Sequence, residues 1–349
     1  MEFIVKKELT EIFSRLGEWV AQSERPVVIT HLNPDGDAIG SLLGLYLYLK
    51  NSGKKAHGMT PNNFPAFLRW LPSAGEIVRY QGHEKRARQI LQEADLLIMV
   101  DFNDPKRLGR LCREVTASSV RKAIIDHHPN PALDAGLVAV QEDASSAAEL
   151  VFSFIGQTGG KKAITPEIAE CIYTGIMTDT GCFSFNSSRP ESFRTVARLL
   201  ETGIDKDRIF NKVYNNFSVR RMQLLGYALY RKMKVLTKYH SAYMVLTLDE
   251  QKEFGFVTGD SEGFVNYPLA VRGVIFSVLV VEKAGHVKLS FRSKGKFNVN
   301  EFARKYFSGG GHVNAAGGES NESLEKTVHL LEKTISISAH ELEEAFRQA

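Results

Sequence analysis

Ala123-Ile124-Ile125-Asp126-His127-His128-Pro129 is a short apolar strand that runs straight into one acid and two histidines. Pro26-Val27-Val28-Ile29-Thr30 ends in the same way, in His31-Leu32-Asn33-Pro34-Asp35-Gly36-Asp37. Two more apolar runs follow the pattern, Leu96–Val100 before Asp101 and Gly175-Ile176-Met177-Thr178 before Asp179. Carboxylate and imidazole are hard-to-borderline donors for a divalent cation. In open α/β sheets, ligands bind in the crevice beyond the carboxyl ends of the strands. Each segment alone is weak, since an acid after a strand commonly caps a helix and Asp35-Gly36 suits a simple turn. Four of them in register on one sheet form a candidate metal site.

Working outward, residues 3–22 read as an amphipathic helix, with Ile4, Leu9, Ile12, Phe13, Leu16, Trp19 and Val20 at helical spacing. A helix is expected from about Asp37 to Lys50, closed by Asn51-Ser52-Gly53. Further strands are expected at Lys55–Met59, Leu96–Val100, Ala123–Ile125 and Leu137–Val140, with helices at His83–Glu93, Ser145–Gly156 and from Pro166 to about Met177. Such alternation predicts βαβ units and a parallel sheet. Residues 191–236 read as consecutive helical segments, and Ala242–Leu248, Val271–Val281 and Val287–Arg292 as strands of a second domain. The expected architecture is α/β: a mostly parallel sheet flanked by helices over 1–190, a helical linker over 191–236, and a smaller α/β domain over 237–349.

Composition agrees with a globular protein of two domains: 349 residues, 43% hydrophobic and 24% charged. No run approaches a membrane span, and the mixed-charge start Met1–Glu8 does not read as a signal peptide. Cys112, Cys171 and Cys182 lack metal-ligand spacing and read as reduced thiols, so the expected location is cytoplasmic. The net charge of +4 hides an asymmetry. Residues 1–205 carry 23 basic and 25 acidic side chains, whereas residues 206–305 carry 18 and 8. One segment is thus suited to grip a polyanion and the other to hold cations.

Two divalent ions roughly 3.5–4 Å apart, sharing one carboxylate, would clamp a phosphorus centre for in-line attack by a bridging hydroxide. Histidine and aspartate without thiolate favour Mn²⁺ or Mg²⁺ over structural Zn²⁺.

The four segments, His31-x-x-Pro34-Asp35-Gly36-Asp37, Val100-Asp101, Asp126-His127-His128 and Thr178-Asp179-Thr180-Gly181, resemble the four motifs of the DHH phosphoesterases. The resemblance implies that His31 and Asp35 bind one metal, that Asp37, His127 and Asp179 bind a second, and that Asp101 bridges them. It also implies that His128 meets the scissile phosphate as orienter or general acid, and that Asp126 orients its neighbours.

In the second domain, Val287, Leu289 and Phe291 alternate with Lys288, Ser290 and Arg292. Asn298 and Glu301 resemble a capping pair for a helix over Val299–Tyr306. The run Ser308-Gly309-Gly310-Gly311-His312 then offers a backbone that a ligand can approach closely, with amide donors for phosphate. Arg292 and His312 could converge on a terminal phosphate. This part is similar to the DHH-associated domain of exonucleases and short-RNA nucleases, and differs from the C-terminal domain of the manganese pyrophosphatases. That similarity implies Ser290, Arg292, Gly309, Gly310, Gly311 and His312 as substrate contacts.

The family members it most resembles are the bifunctional oligoribonucleases and 3′-phosphoadenosine 5′-phosphate phosphatases. The expected substrates are short single-stranded RNA and nucleoside bisphosphates, with Mn²⁺ as the expected cofactor, Mg²⁺ as its alternative, no membrane partner, and a homodimer as the candidate assembly. Hydrolysis of linear or cyclic dinucleotides is the alternative activity, and a nucleotide sensor without turnover the third. Ser184-Phe185-Asn186-Ser187-Ser188-Arg189 departs from the Thr-rich segment expected of the group, which leaves base preference open.

Overall fold

A computed structural model describes residues 7–257 and 259–348. Ile4, expected in the first helix, lies outside the described residues. The chain divides into two compact units, residues 1–216 and 217–349.

The first unit opens with α1 (Lys7–Gln22), β1 (Pro26–Ile29), α2 (Gly36–Asn51), β2 (His57–Thr60), β3 (Val78–Arg79), α3 (Glu84–Glu93) and β4 (Leu96–Val100). It continues through α4 (Cys112–Ala117), β5 (Arg121–Asp126), β6 (Leu137–Val140), α5 (Ala147–Gly159), α6 (Pro166–Asp179), α7 (Pro190–Leu200) and α8 (Lys206–Tyr214). Its six strands form one parallel sheet in the order β3-β2-β1-β4-β5-β6. Side chains alternate across it. Val28, Ile98, Val100, Ala123 and Ile125 pack with α1, α2, α5 and α6, while Val27, Ile29, Leu97, Met99 and Ile124 pack towards α3 and α4. Both faces are covered, so β1 and β4 are buried along their whole length, which explains their unbroken apolar sequence. The strand order reverses between β1 and β4, and at such a switch point a crevice opens beyond the strand ends.

Close approach of α2 to α6 has a steric cause in the glycines of α2. A Cβ at Gly40 would stand 2.5 Å from the carbonyl oxygen of Cys171 and 2.8 Å from Cα of Gly175, and one at Gly36 would strike the Thr178 side chain. Only glycine lets the two backbones touch there. The contact brings Asp37, in the first turn of α2, up to Asp179, the last residue of α6.

The second unit holds α9 (Val219–Tyr227), β7 (Lys234–Leu236), β8 (Ser241–Leu246), α10 (Leu248–Glu253), β9 (Phe276–Lys283), β10 (His286–Ser293), α11 (Val299–Tyr306), β11 (Gly310–Gly311), β12 (Ala315–Ser320), α12 (Leu324–Ile337) and α13 (Ala339–Arg347). Its sheet runs β11-β12-β10-β9-β8-β7, with β8 and β9 parallel and the other pairs antiparallel. Of the segment 191–236, α7 and α8 fall in the first unit and α9 in the second.

Two strand boundaries are moved by local turns. The strand expected over Val271–Val281 begins at Phe276, because Val271 and Val274 are tied into a turn with Gly273 at φ 83°. The strand expected to reach Leu248 stops at Leu246, because Thr247 and Glu250 form a capping box that starts α10. Strands β3, β7, β11 and β12 were not expected. Asn298 does cap α11, accepting from the amides of Asn300 and Glu301.

Candidate metal centre

The four segments converge at the carboxyl end of the first sheet. His31 follows β1, Asp35 caps α2, Asp37 lies in the first turn of that helix, Asp101 follows β4, Asp126 ends β5, and Asp179 ends α6. Several groups of potential ligand atoms lie within 4.8 Å of one another, among them His31, Asp35 and Asp101; Asp37, His127 and Asp179; and Asp101, Asp126 and His128. Asp101 faces the first two. Its Oδ2 is 3.3 Å from His31 Nε2 and its Oδ1 is 3.5 Å from His127 Nε2. The same His127 nitrogen is 3.6 Å from Asp37 and 3.7 Å from Asp179.

The backbone supports this convergence. Asp101 sits at φ 63°, a left-handed conformation that costs a non-glycine residue energy and recurs at functional sites. Asp35 accepts from the amides of Asp37 and Ala38, and Asp37 accepts from Ala147 and Ala148 at 2.7 and 2.9 Å at the start of α5. Both therefore have helix-terminal roles as well as places in the cluster.

Hydrogen-bond chemistry separates the histidines. Nδ1 of His31 is 2.9 Å from the Leu32 carbonyl, and Nδ1 of His127 is 3.3 Å from that of Ala144. A carbonyl only accepts, so each Nδ1 carries the proton and each Nε2 is turned towards carboxylates. Metal-binding histidines are oriented by this kind of outer bond. His128 is held differently: its Nδ1 is 2.8 Å from Asp126 Oδ1, which also accepts from the His127 amide at 2.8 Å.

Charge in the cluster is unevenly held. Burial, then the carboxylates of Asp101 and Asp179, push the Asp37 carboxyl well above the usual carboxylate range. Burial also opposes charge on Asp101, yet hydrogen bonds from His127 and His31 hold it well below that range. His127 is likewise opposed by burial, but Asp101, Asp179 and Asp37 raise it well above the ordinary imidazole value. Buried carboxylates crowded until one prefers a proton, together with Nε2 atoms aimed among them, fit a divalent cation in both donor chemistry and charge.

Several positioning residues carried no signal in the sequence. Asn103 Nδ2 donates to the His128 carbonyl at 2.7 Å, and Arg107 Nη1 lies 3.2 Å from His128 Nε2. Buried Glu149 accepts from the amide and hydroxyl of Ser145 and from Ser192, bracing the turn whose Ala144 carbonyl orients His127. Only the spacing of Ser146 and Glu149 at the start of a helix hints at that brace.

In the second unit, Lys288, Ser290 and Arg292 alternate with buried Val287, Leu289 and Phe291 as expected. Arg292 pairs in register with Ala315, whose carbonyl accepts from the His312 amide at 2.7 Å. The glycine run departs from its expected use as a set of free amide donors. The amide of Gly309 donates to Ala303 and that of Gly311 to Asn300 Oδ1. The glycines are needed because β11 lies so close to β12 that a Cβ at Gly309 would stand 2.0 Å from the Gly317 carbonyl oxygen.

The sequence matches the description "DHH family, N-terminal domain" over residues 25–176 and "DHHA1 domain" over residues 236–337. It is 33% identical over 298 residues to the bifunctional oligoribonuclease and PAP phosphatase NrnA of Thermus thermophilus, covering 84% of each chain. It is 27% identical to the protein of the same description from Bacillus subtilis, over 82% of this chain and 86% of that one. The crystal structure of an exopolyphosphatase-related protein from Bacteroides fragilis superposes with a TM-score of 0.91 at 41% identity, covering 95% of this chain and 98% of that one. With carboxylates and histidines gathered at the switch point, both domains matched and a relative one-third identical over most of the chain, the protein belongs to the DHH family, whose phosphoesterases are metal-dependent.

Proposed function

We propose that this protein is a phosphoesterase that hydrolyses short oligoribonucleotides to mononucleotides and 3′-phosphoadenosine 5′-phosphate to AMP. The observation that carries the reading is the pair of ligand groups meeting at Asp101. The activities named for the similar Thermus and Bacillus proteins support the choice of substrate. His31 and Asp35 would hold one ion, Asp37, His127 and Asp179 a second, and Asp101 both. Oxygen and imidazole donors without thiolate fit Mn²⁺ and, next, Mg²⁺. Such ions, when bound, supply Lewis-acid polarisation of phosphoryl oxygens and hydroxide at neutral pH.

The chain's own groups do the rest. Asp126 fixes the ring of His128 through Nδ1, leaving Nε2 as the edge that meets the reacting phosphate. In the second unit we assign Ser290, Arg292 and His312 to substrate contact, with Arg292 offering a planar fork to phosphate oxygens and the glycines of Gly309–Gly311, whose first and last amides are already bonded, shaping the turn that leads to His312.

One panel tests the reading. With Mn²⁺, RNA of two to about twenty nucleotides, 3′-phosphoadenosine 5′-phosphate, a cyclic dinucleotide and pyrophosphate are compared by product release. Turnover of the dinucleotide RNA and the bisphosphate is expected. Rapid hydrolysis of pyrophosphate without cleavage of dinucleotide RNA refutes the reading, and preference for the cyclic dinucleotide moves the protein to the alternative activity.

A further inference from the structure

Arg107 lies six residues beyond Asp101, in the 3₁₀ turn Pro105–Leu111. Its backbone is tied to two of the loops that build the cluster: its amide donates to the Asp104 carbonyl at 3.0 Å, and its carbonyl accepts from the Leu32 amide at 2.7 Å. Its Nη1 reaches both the Asp101 carbonyl, at 3.3 Å, and His128 Nε2, at 3.2 Å.

A guanidinium is permanently charged and has donors only. His128 Nε2 must therefore accept here, which places the ring proton on Nδ1, against Asp126 Oδ1 at 2.8 Å. The imidazole is gripped by an anion on one side and a cation on the other. A neutral ring nitrogen and a backbone carbonyl are modest partners for a guanidinium, whose five donors match a tetrahedral oxyanion in pairs.

We propose that Arg107 binds a non-bridging oxygen of the scissile phosphate. On substrate binding it exchanges its bond to His128 Nε2 for the phosphate oxygen, so that the arginine grips the phosphate. The inference rests on the phosphoesterase reading. Its rival is a brace, in which Arg107 only supports the left-handed backbone of Asp101 and the ring of His128.

The test compares wild type, Arg107→Ala and Arg107→Lys on 3′-phosphoadenosine 5′-phosphate and dinucleotide RNA, with Mn²⁺ uptake by calorimetry and melting temperature for each variant. A wild type that hydrolyses neither substrate sinks the functional reading and is seen before any variant is made. Given turnover, Arg107→Ala should lose about 100-fold in kcat/KM, as expected for a lost charge-assisted bond, with KM clearly raised. Arg107→Lys should recover part of the loss, since it restores charge without the fork. Metal uptake and melting temperature should match wild type. A KM within about twofold of wild type, or loss of metal together with activity, overturns the proposal in favour of the brace.

Discussion

Replacing Asp101 by Asn removes one charge from between two imidazoles and nearly preserves shape. Asp101 Oδ1 stands 3.5 Å from His127 Nε2 and Oδ2 stands 3.3 Å from His31 Nε2, with Asp101 and both histidines buried. A charge pair at that separation is worth about 5 kcal/mol at an effective dielectric constant of about 20, before desolvation is counted against it. Breaking a buried pair by removing one partner costs about 3–5 kcal/mol, because the other charge is left uncompensated. In metal-free protein, Asp101→Asn should therefore lower the melting temperature by about 10 °C for a unit of this size. Activity should fall further. Outer partners of metal ligands cost about 10–100-fold when removed, and a carboxylate shared by both groups should exceed that. The assays are scanning calorimetry after chelation, metal stoichiometry by calorimetric titration, and hydrolysis of dinucleotide RNA with Mn²⁺. A variant that takes up two ions with wild-type affinity and cleaves within tenfold of wild type would refute the assignment of Asp101 as the shared ligand. A metal-free variant that melts with wild type would refute the charge pair.

Two other outcomes follow from the same site. Asp37 and His127 both have pKa values raised in the fold, so the stability each contributes is present below its unfolded value and is lost as pH rises through the folded one. Asp101, held low, contributes stability above its unfolded value and loses it only in acid. Metal-stripped protein should thus melt at lower temperature as pH goes from about 6 to about 8.5, and saturating Mg²⁺ should flatten that slope, since cation replaces proton. A slope unchanged by metal would refute the linkage. Gly40→Ala places a Cβ 2.5 Å from the Cys171 carbonyl oxygen, which forces α2 from α6 at about 1–3 kcal/mol. It should weaken metal uptake by separating Asp37 from Asp179; unchanged uptake in calorimetry would show that the glycine contact does not set their spacing.

How much of this was legible beforehand depended on whether a residue announces itself by pattern. β4 has the bounds read from the sequence, because a strand buried on both faces must be apolar throughout. β12 was invisible. Ala315-Ala316-Gly317-Gly318-Glu319-Ser320 lacks every β-branched or aromatic residue, and its glycines serve contacts instead: a Cβ at Gly318 would stand 2.8 Å from the Phe307 carbonyl oxygen. The glycine run before it suggested amides open to phosphate, but a run of glycines does not reveal whether its amides face a ligand or another strand.

The site divides along the same line. His31, Asp35, Asp37, Asp101, Asp126, His127, His128 and Asp179 were all visible because each stands at the end of an apolar run, and those ends lie at one edge of a parallel sheet. What distinguishes His127 from its neighbour was not visible, since the distinction lies in their partners. A backbone carbonyl behind Nδ1 leaves His127 with its Nε2 among carboxylates, whereas His128 turns Nδ1 to the Asp126 carboxylate and Nε2 to an arginine. Ala144 offers only its backbone to this role, and Arg107 is one of many arginines in the chain. Two adjacent and chemically identical side chains thus receive different partners, a carbonyl and a guanidinium contributed by other loops, and the fold is what assigns them.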